Sequence, residues 1–175
     1  MYIILKDDSQ RFYLGDDSEA YNIRHFRFFI DILKSKNIDI DRVITLGSSM
    51  GGYAALYYGF WLGVKGIIAI NPQTTYAAAR RHSLQNWERQ IRATGTAWVD
   101  LDQFIFRFDH KPIVFLEHSN YPADSAAADS LVFAMTERRI DYFRGFIPGG
   151  HGGGELTSAK LQNQVSLIHS FNNHT

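Results

Sequence analysis

A serine flanked by glycines is the strongest chemical signal in this sequence. Ser49 stands in the run GSSMGG, with Gly47 two residues before it and Gly51 two residues after it. A sharp strand-to-helix turn holds its central residue in a strained backbone conformation, so the positions on either side need small residues. Neighbouring Ser48 has a leucine and a methionine at the equivalent positions. The spacing therefore selects Ser49 as the candidate nucleophile.

A serine hydroxyl needs a base to remove its proton and a third group to orient that base. His151 is the best candidate base, because it lies in a loop whose five glycines, within 149–154, let the backbone come close to a site. The other histidines compared with it lie within helices, before a strand or near the C-terminus, and are less well placed: His25, His82, His110, His169 and His174.

The orienting acid is expected in the loop that follows the strand ending at Leu116. Asp124 lies in that loop, just before a helix that begins near Ser125. The same position suits a helix N-cap, which gives Asp124 a purely structural alternative role. Glu117 at the strand end and Asp129 one turn into the helix are the other candidates for the acid.

Alternating strands and helices would position these residues. The expected strands are Tyr2–Leu5, Val43–Leu46, Gly66–Ile70, Pro112–Leu116 and Ile140–Ile147, with Phe12–Leu14 as a further extended piece. Helices are expected at 19–36, directly after Ser49, at 126–139 and at about 155–171, with one or two more between 73 and 98. This alternation predicts an α/β fold, a three-layer α/β/α sandwich with a mostly parallel sheet. Ligands of such sheets bind at the C-terminal ends of the strands, where the candidate residues lie.

Composition narrows the class of protein. The 175 residues fit one domain, 1–175. Eighteen basic residues balance eighteen acidic ones, which argues against a nucleic-acid partner. No cysteine is present, so disulfides, zinc–thiolate sites and a cysteine nucleophile are excluded. The absence of a signal-like N-terminus and of a long apolar run predicts a cytoplasmic protein without a membrane partner, and a net charge near zero permits a homodimer.

The order Ser49, Asp124, His151 on alternating strands and helices resembles the α/β-hydrolase superfamily. The likeness runs from about residue 43 to the C-terminus, and the runs GSSMGGYAAL and NPQT are similar to small bacterial hydrolase-like proteins of surface-polysaccharide or glycan metabolism. The resemblance implies a serine esterase, thioesterase or acyltransferase with a Ser–His–Asp triad. Such an enzyme attacks the acyl carbonyl of a small ester or thioester, forms an acyl-enzyme and needs no metal or cofactor.

Members of this family hold the oxyanion with two backbone N–H groups. Met50, directly after the nucleophile, fits the first. No His–Gly motif is present to supply the second donor. One clear strand precedes the first helix, where a full member of the family would have several, and this implies a compact or N-terminally abbreviated α/β-hydrolase fold. Lys6, Asp7 and Asp8 are the candidates for the second donor, and Asp7 is our choice among them.

Several alternatives stay open on the sequence alone. Residues 73–109 lie where the family often carries a lid, and Tyr76, Trp87 and Trp98 either line an acyl or sugar pocket there or belong to the core. A chain without the second oxyanion donor would be a hydrolase-like binding or scaffold protein with weak or no catalysis. Alternatively, the loop 149–154 would form a phosphate cradle at the start of the last helix.

Overall fold

Four parallel strands form one sheet in the order β1–β2–β3–β4. The structure is a computed structural model that describes residues 3–4, 6–8, 10–14, 19–82, 84–151 and 156–171. The strands are β1 (Ile44–Ser48), β2 (Gly66–Ile70), β3 (Ile113–Ser119) and β4 (Tyr142–Ile147). The register pairs Ser48 with Ile70 and Ile70 with Glu117, so the C-terminal ends of the first three strands meet at one edge of the sheet.

Helices cover both faces of this sheet. They are α1 (Glu19–Ser35), α2 (Met50–Leu62), α3 (Tyr76–Arg81), α4 (Gln85–Ala93), α5 (Leu101–Phe104), α6 (Pro122–Arg138) and α7 (Ser158–Ser170). Parallel strands in sequential order require crossovers of one hand, which place the connecting helices α2 to α6 on the same face. The predicted α/β sandwich is therefore confirmed. None of these described helices has the length and apolarity that a membrane crossing requires.

Alternate residues of the central strands pack into different layers. Ile67 and Ala69 belong to the larger core cluster, which includes residues of α2, α5 and α6. Ile68 points the other way and packs with Ile168 of α7 in a smaller cluster. Both faces of β2 are thus buried, as expected for a central parallel strand.

The N-terminal predictions are wrong where the structure describes these residues. Ile3 and Ile4 are not in a strand and are 43% and 91% exposed, because a short apolar run forms a strand only beside a partner strand. Phe12 and Tyr13 lie in a turn, with φ of 58° and 60°, rather than in an extended segment. Tyr2, Leu5 and the expected helix-start residues 16–18 lie outside the described residues.

The connection between β2 and β3 folds as the short helices α3, α4 and α5. Trp98, after α4, belongs to the core: its ring stacks on Tyr53 at 4.5 Å, and its indole N–H donates to Asp100 at 2.9 Å. One face of the Trp98 ring and its polar atom thus have partners within the protein, and a pocket role for Trp98 stays a prediction. A lid role for residues 73–109 stays a prediction.

Candidate active site

Ser49 occupies the turn between β1 and α2 in a strained conformation. Its φ of 55° and ψ of −121° lie in a region that residues with a side chain rarely adopt, at a cost of about 1–3 kcal/mol. Its N–H donates to the carbonyl of Ile70 at 2.8 Å, and its own carbonyl accepts from the N–H of Tyr53 at 3.1 Å. Neighbouring β2 and the first turn of α2 therefore fix the backbone of Ser49.

Close backbone packing explains two of the glycines around Ser49. A Cβ on Gly47 would overlap the carbonyl group of Gly51, and a Cβ on Gly52 would lie 3.0 Å from the carbonyl oxygen of Ile70. A Cβ on Gly51 would meet nothing closer than 3.9 Å. The expected requirement for a small residue at position 51 is therefore wrong, because the carbonyl of Gly51, and not its Cα, faces Gly47.

The structure brings Ser49, His151 and Asp124 together in one hydrogen-bonded chain. The Ser49 Oγ lies 2.8 Å from the His151 Nε2, and the His151 Nδ1 lies 2.7 Å from the Asp124 Oδ1. An ionised carboxylate only accepts hydrogen bonds, so Nδ1–H is the donor to Asp124 and Nε2 presents its lone pair to the serine hydroxyl. This arrangement can take a proton from Ser49.

Asp124 is completely buried, whereas the His151 side chain is 26% exposed. A buried carboxylate needs hydrogen-bond donors to offset the loss of water. The Ser119 hydroxyl donates to the Oδ2 of Asp124 at 2.6 Å, while the His151 ring occupies Oδ1. Asp124 also lies in the first turn of α6, where the helix dipole favours a negative charge.

The alternative roles considered for the acids are not found. Helix α6 begins at Pro122 and has Tyr121 as its N-cap, so Asp124 is not the cap. Glu117 accepts hydrogen bonds from Lys160 at 2.5 Å and Gln164 at 2.6 Å, both on α7. Asp129 pairs with Arg144 at 2.6 Å. Glu117 and Asp129 therefore have partners of their own and neither bonds to His151.

Asn71, at the end of β2, holds the His151 loop in place. Its Nδ2 donates to the carbonyl of His151 and its Oδ1 accepts from the N–H of Ser119, both at 2.7 Å. Its backbone N–H donates to the carbonyl of Glu117 at 2.7 Å. The sequence alone assigned Asn71 no role at the site beyond its place in the run NPQT. The one sequence signal for such a role was an asparagine directly after a strand. Asparagine adopts a positive φ more readily than most residues, and its φ here is 44°.

Trp87 of α4 lies against the candidate site. Its ring is 4.6 Å from the ring of His151 and 6.3 Å from that of Tyr121. Tyr76, the other aromatic candidate, donates from its hydroxyl to Glu88 at 3.2 Å and accepts from Arg92 at 3.0 Å. Trp87 is thus the aromatic pocket candidate whose ring packs against His151.

Met50 and Asp7, the two residues expected to donate an N–H to the oxyanion, lie in different surroundings. Met50 is the first residue of α2, so its N–H has no acceptor within the helix and lies at the positive end of the helix dipole. The carboxylate of Asp7 accepts from the N–H groups of Arg11 and Tyr13, each at 2.8 Å. A donor role for the Asp7 N–H stays a prediction.

Two other kinds of site were considered, a phosphate cradle and a metal site. Residues 152–154 of the loop 149–154, considered as a phosphate cradle, lie outside the described residues, so the cradle stays a prediction. Across residues 3–4, 6–8, 10–14, 19–82, 84–151 and 156–171, no group of three or more His, Asp or Glu side chains is arranged to hold a metal ion.

No family profile matches the sequence, and no curated protein does. Similarity to solved structures is clear. A capsule O-acetyltransferase of Neisseria meningitidis serogroup A aligns with a TM-score of 0.67 at 17% identity over 91% of this chain and 68% of its own. A Glycosylation Associate Protein complex from Streptococcus agalactiae aligns with a TM-score of 0.64 at 20% identity over 91% of this chain and 33% of its own.

A third similar structure is esterase PE8, with a TM-score of 0.57 at 18% identity over 86% of this chain and 60% of its own. The chain thus spans 33%, 60% and 68% of the length of these three relatives. At such identities the likeness establishes the fold: an α/β fold with a parallel sheet, shared with esterase and O-acetyltransferase structures.

Proposed function

We propose that this protein is a serine-dependent acyl-transfer enzyme that acts on an ester or thioester. The observation that carries the proposal is the hydrogen-bonded chain from Ser49 through His151 to Asp124. Ser49 follows β1, Asp124 follows β3 and His151 follows β4, so three separate parts of the chain converge at this point. A strained serine at a strand-to-helix turn, aligned with a histidine and a buried acid, is the arrangement of a nucleophile elbow with its triad.

The first half of the reaction forms an acyl-enzyme. His151 Nε2 takes the Ser49 hydroxyl proton as Oγ attacks the acyl carbonyl, and Asp124 stabilises the resulting imidazolium. The Met50 N–H donates to the carbonyl oxygen as it becomes negatively charged. The tetrahedral intermediate then collapses, the bond to the leaving group breaks, and His151 returns the proton to the departing alcohol or thiol.

The second half repeats these steps with a new nucleophile. His151 removes a proton from water or from an acceptor hydroxyl, which attacks the acyl group on Ser49 and releases it. Water gives an esterase or thioesterase, and a sugar hydroxyl gives an O-acyltransferase. The names of the similar structures, an esterase and a capsule O-acetyltransferase, support either outcome.

Labelling by a fluorophosphonate probe tests the proposal directly. The probe reacts covalently with a serine that a neighbouring base has activated. We expect stoichiometric labelling of the wild type and no labelling of Ser49→Ala or His151→Ala. Ser48→Ala is the matched control, because Ser48 is the exposed neighbour at the end of β1, and it should label like the wild type.

Two outcomes would contradict the proposal. A well-folded wild type that does not react would favour a hydrolase-like binding or scaffold protein without catalysis. Labelling that survives Ser49→Ala would place the reactive residue elsewhere. If labelling depends on Ser49, turnover of short-chain p-nitrophenyl esters and acyl thioesters is measured next. Release of the free acid in water indicates hydrolysis, and acylation of an added sugar indicates transfer.

Asn71→Ala is expected to lower kcat about a hundredfold, because a displacement of about 1 Å in a catalytic group has an effect of that size. The substitution removes the bonds from Asn71 to the His151 carbonyl and to the Ser119 N–H. Asn71→Asp keeps the acceptor for Ser119 but sets a carboxylate oxygen against the His151 carbonyl, so its kcat should fall similarly. Ester turnover measures both, and wild-type kcat in Asn71→Asp would disprove the positioning role.

A further inference from the structure

The turn at residues 10–14 packs directly beside the helix that follows Ser49. Phe12 is completely buried, with its ring 5.5 Å from that of Tyr53 and 4.9 Å from that of Trp98. The hydroxyl of Tyr58 donates to the carbonyl of Tyr13 at 2.8 Å. One buried ring and one hydrogen bond to α2 therefore fix this turn against the elbow.

Four of the five backbone N–H groups of this turn are already used. Those of Arg11 and Tyr13 donate to Asp7 Oδ2 at 2.8 Å each. The N–H of Gln10 donates to the Asp7 carbonyl at 3.4 Å, and that of Leu14 donates to the Arg11 carbonyl at 3.0 Å. These four groups cannot serve a substrate without breaking the turn.

The Tyr13 hydroxyl, in contrast, has no hydrogen-bond partner within the described chain. It lies 3.9 Å from the point where a Cβ would stand on Gly51. Gly51 follows Met50 directly in the first turn of α2, where the helix presents its free N–H groups. A phenolic O–H is a hydrogen-bond donor, and this one lies next to the same turn of α2 that carries the Met50 N–H.

We propose that the Tyr13 hydroxyl is the second hydrogen-bond donor to the oxyanion, together with the Met50 N–H. This inference rests on the proposed acyl-transfer function. It assigns to a side chain the role that the sequence analysis gave to the backbone of Asp7, whose carboxylate instead builds the turn that presents Tyr13. The Tyr13 hydroxyl and the Met50 N–H both lie at the first turn of α2, directly after Ser49.

Tyr13→Phe removes the hydroxyl and keeps the ring. We expect kcat for a p-nitrophenyl ester to fall about a hundredfold to a thousandfold, the effect of losing one oxyanion donor, with KM and the thermal unfolding temperature unchanged. The affinity for a trifluoromethyl ketone, which adds to the serine to form a tetrahedral oxyanion, should fall by a comparable factor. Tyr142→Phe is the matched control, since the Tyr142 hydroxyl lies near Thr136, at 3.3 Å, and it should keep wild-type kcat.

The outcomes separate this inference from the proposed function. If the wild type labels at Ser49 but Tyr13→Phe keeps wild-type kcat and ketone affinity, the Tyr13 assignment is wrong and the proposed function stands. If KM rises while kcat stays constant, Tyr13 contributes only to substrate binding, and the oxyanion role is again overturned. A wild type with no Ser49-dependent labelling overturns both.

Discussion

Asp124→Asn is expected to lower kcat about ten-thousandfold, the effect of the equivalent change in a Ser–His–Asp triad, with little loss of stability. The amide would accept the Ser119 hydroxyl through its oxygen and turn its NH2 group towards His151 Nδ1. That nitrogen would then have to accept, so the proton would move to Nε2. A His151 protonated at Nε2 cannot take the Ser49 proton, although the distances of 2.8 and 2.7 Å would be preserved.

Glu117→Gln is the matched control for this substitution. It makes the same carboxylate-to-amide change within β3, seven residues before Asp124, and Glu117 was one of the two other candidates for the acid. In the structure its carboxylate bonds to Lys160 and Gln164 of α7. We expect wild-type kcat in Glu117→Gln, measured by ester turnover beside thermal unfolding of both variants. A large loss of kcat in Glu117→Gln with none in Asp124→Asn would reverse the assignment of the acid.

Gly47→Ala is expected to destabilise the protein by about 3 kcal/mol or more, at the upper end of the usual cost of overpacking. The added methyl group would overlap the carbonyl of Gly51 and lie 2.9 Å from the N atom of Gly52. These are backbone atoms, which cannot rotate away as a flexible side chain would. The overlap can therefore be removed only by moving the turn that holds Ser49, so fluorophosphonate labelling of Ser49 should be lost along with stability.

Gly51→Ala provides the matched control for stability within the same turn. Its new methyl group would lie 3.9 Å from the nearest atom, the Tyr13 hydroxyl. Alanine also favours a helix over glycine, so the free energy of unfolding should be unchanged or slightly raised. Urea unfolding of both variants gives the comparison. Equal destabilisation by the two substitutions would contradict the prediction that a Cβ is tolerated at position 51 but not at position 47.

The sequence predicts the central part of the fold well because its signals are local. Gly66–Ile70 is an apolar run stopped by a proline, and it forms β2 with the predicted ends. Gly63 ends α2 with a φ of 72°, as expected of a glycine C-cap. Helix α6 starts four residues before the predicted 126, because the proline at the first helical position was not read as a helix start.

The residues around Ser49 show what local patterns cannot reveal. The choice of Asp124 over Glu117 depends on which face of the sheet each side chain meets, and this follows from the register of β2 with β3 and from the position of α7. The bridging role of Asn71 needs the ends of β2, β3 and β4 to be adjacent in space. The N-terminal strand was predicted from a run of four residues, and Ile3 and Ile4 remain exposed because apolar character does not supply a partner strand.

The distribution of the candidate residues along the chain has a consequence for folding. Ser49 and His151 are separated by 102 positions, and Asp124 and His151 by 27. Ser49, Asp124 and His151 follow β1, β3 and β4, and Asn71 at the end of β2 joins them. Long-range pairings of this kind form late, because a large loop must close before any contact compensates for the lost entropy. In a chain that has not yet added β4 to the sheet, His151 is not held beside Ser49, so the proposed nucleophile lacks its proposed base until β4 is in register.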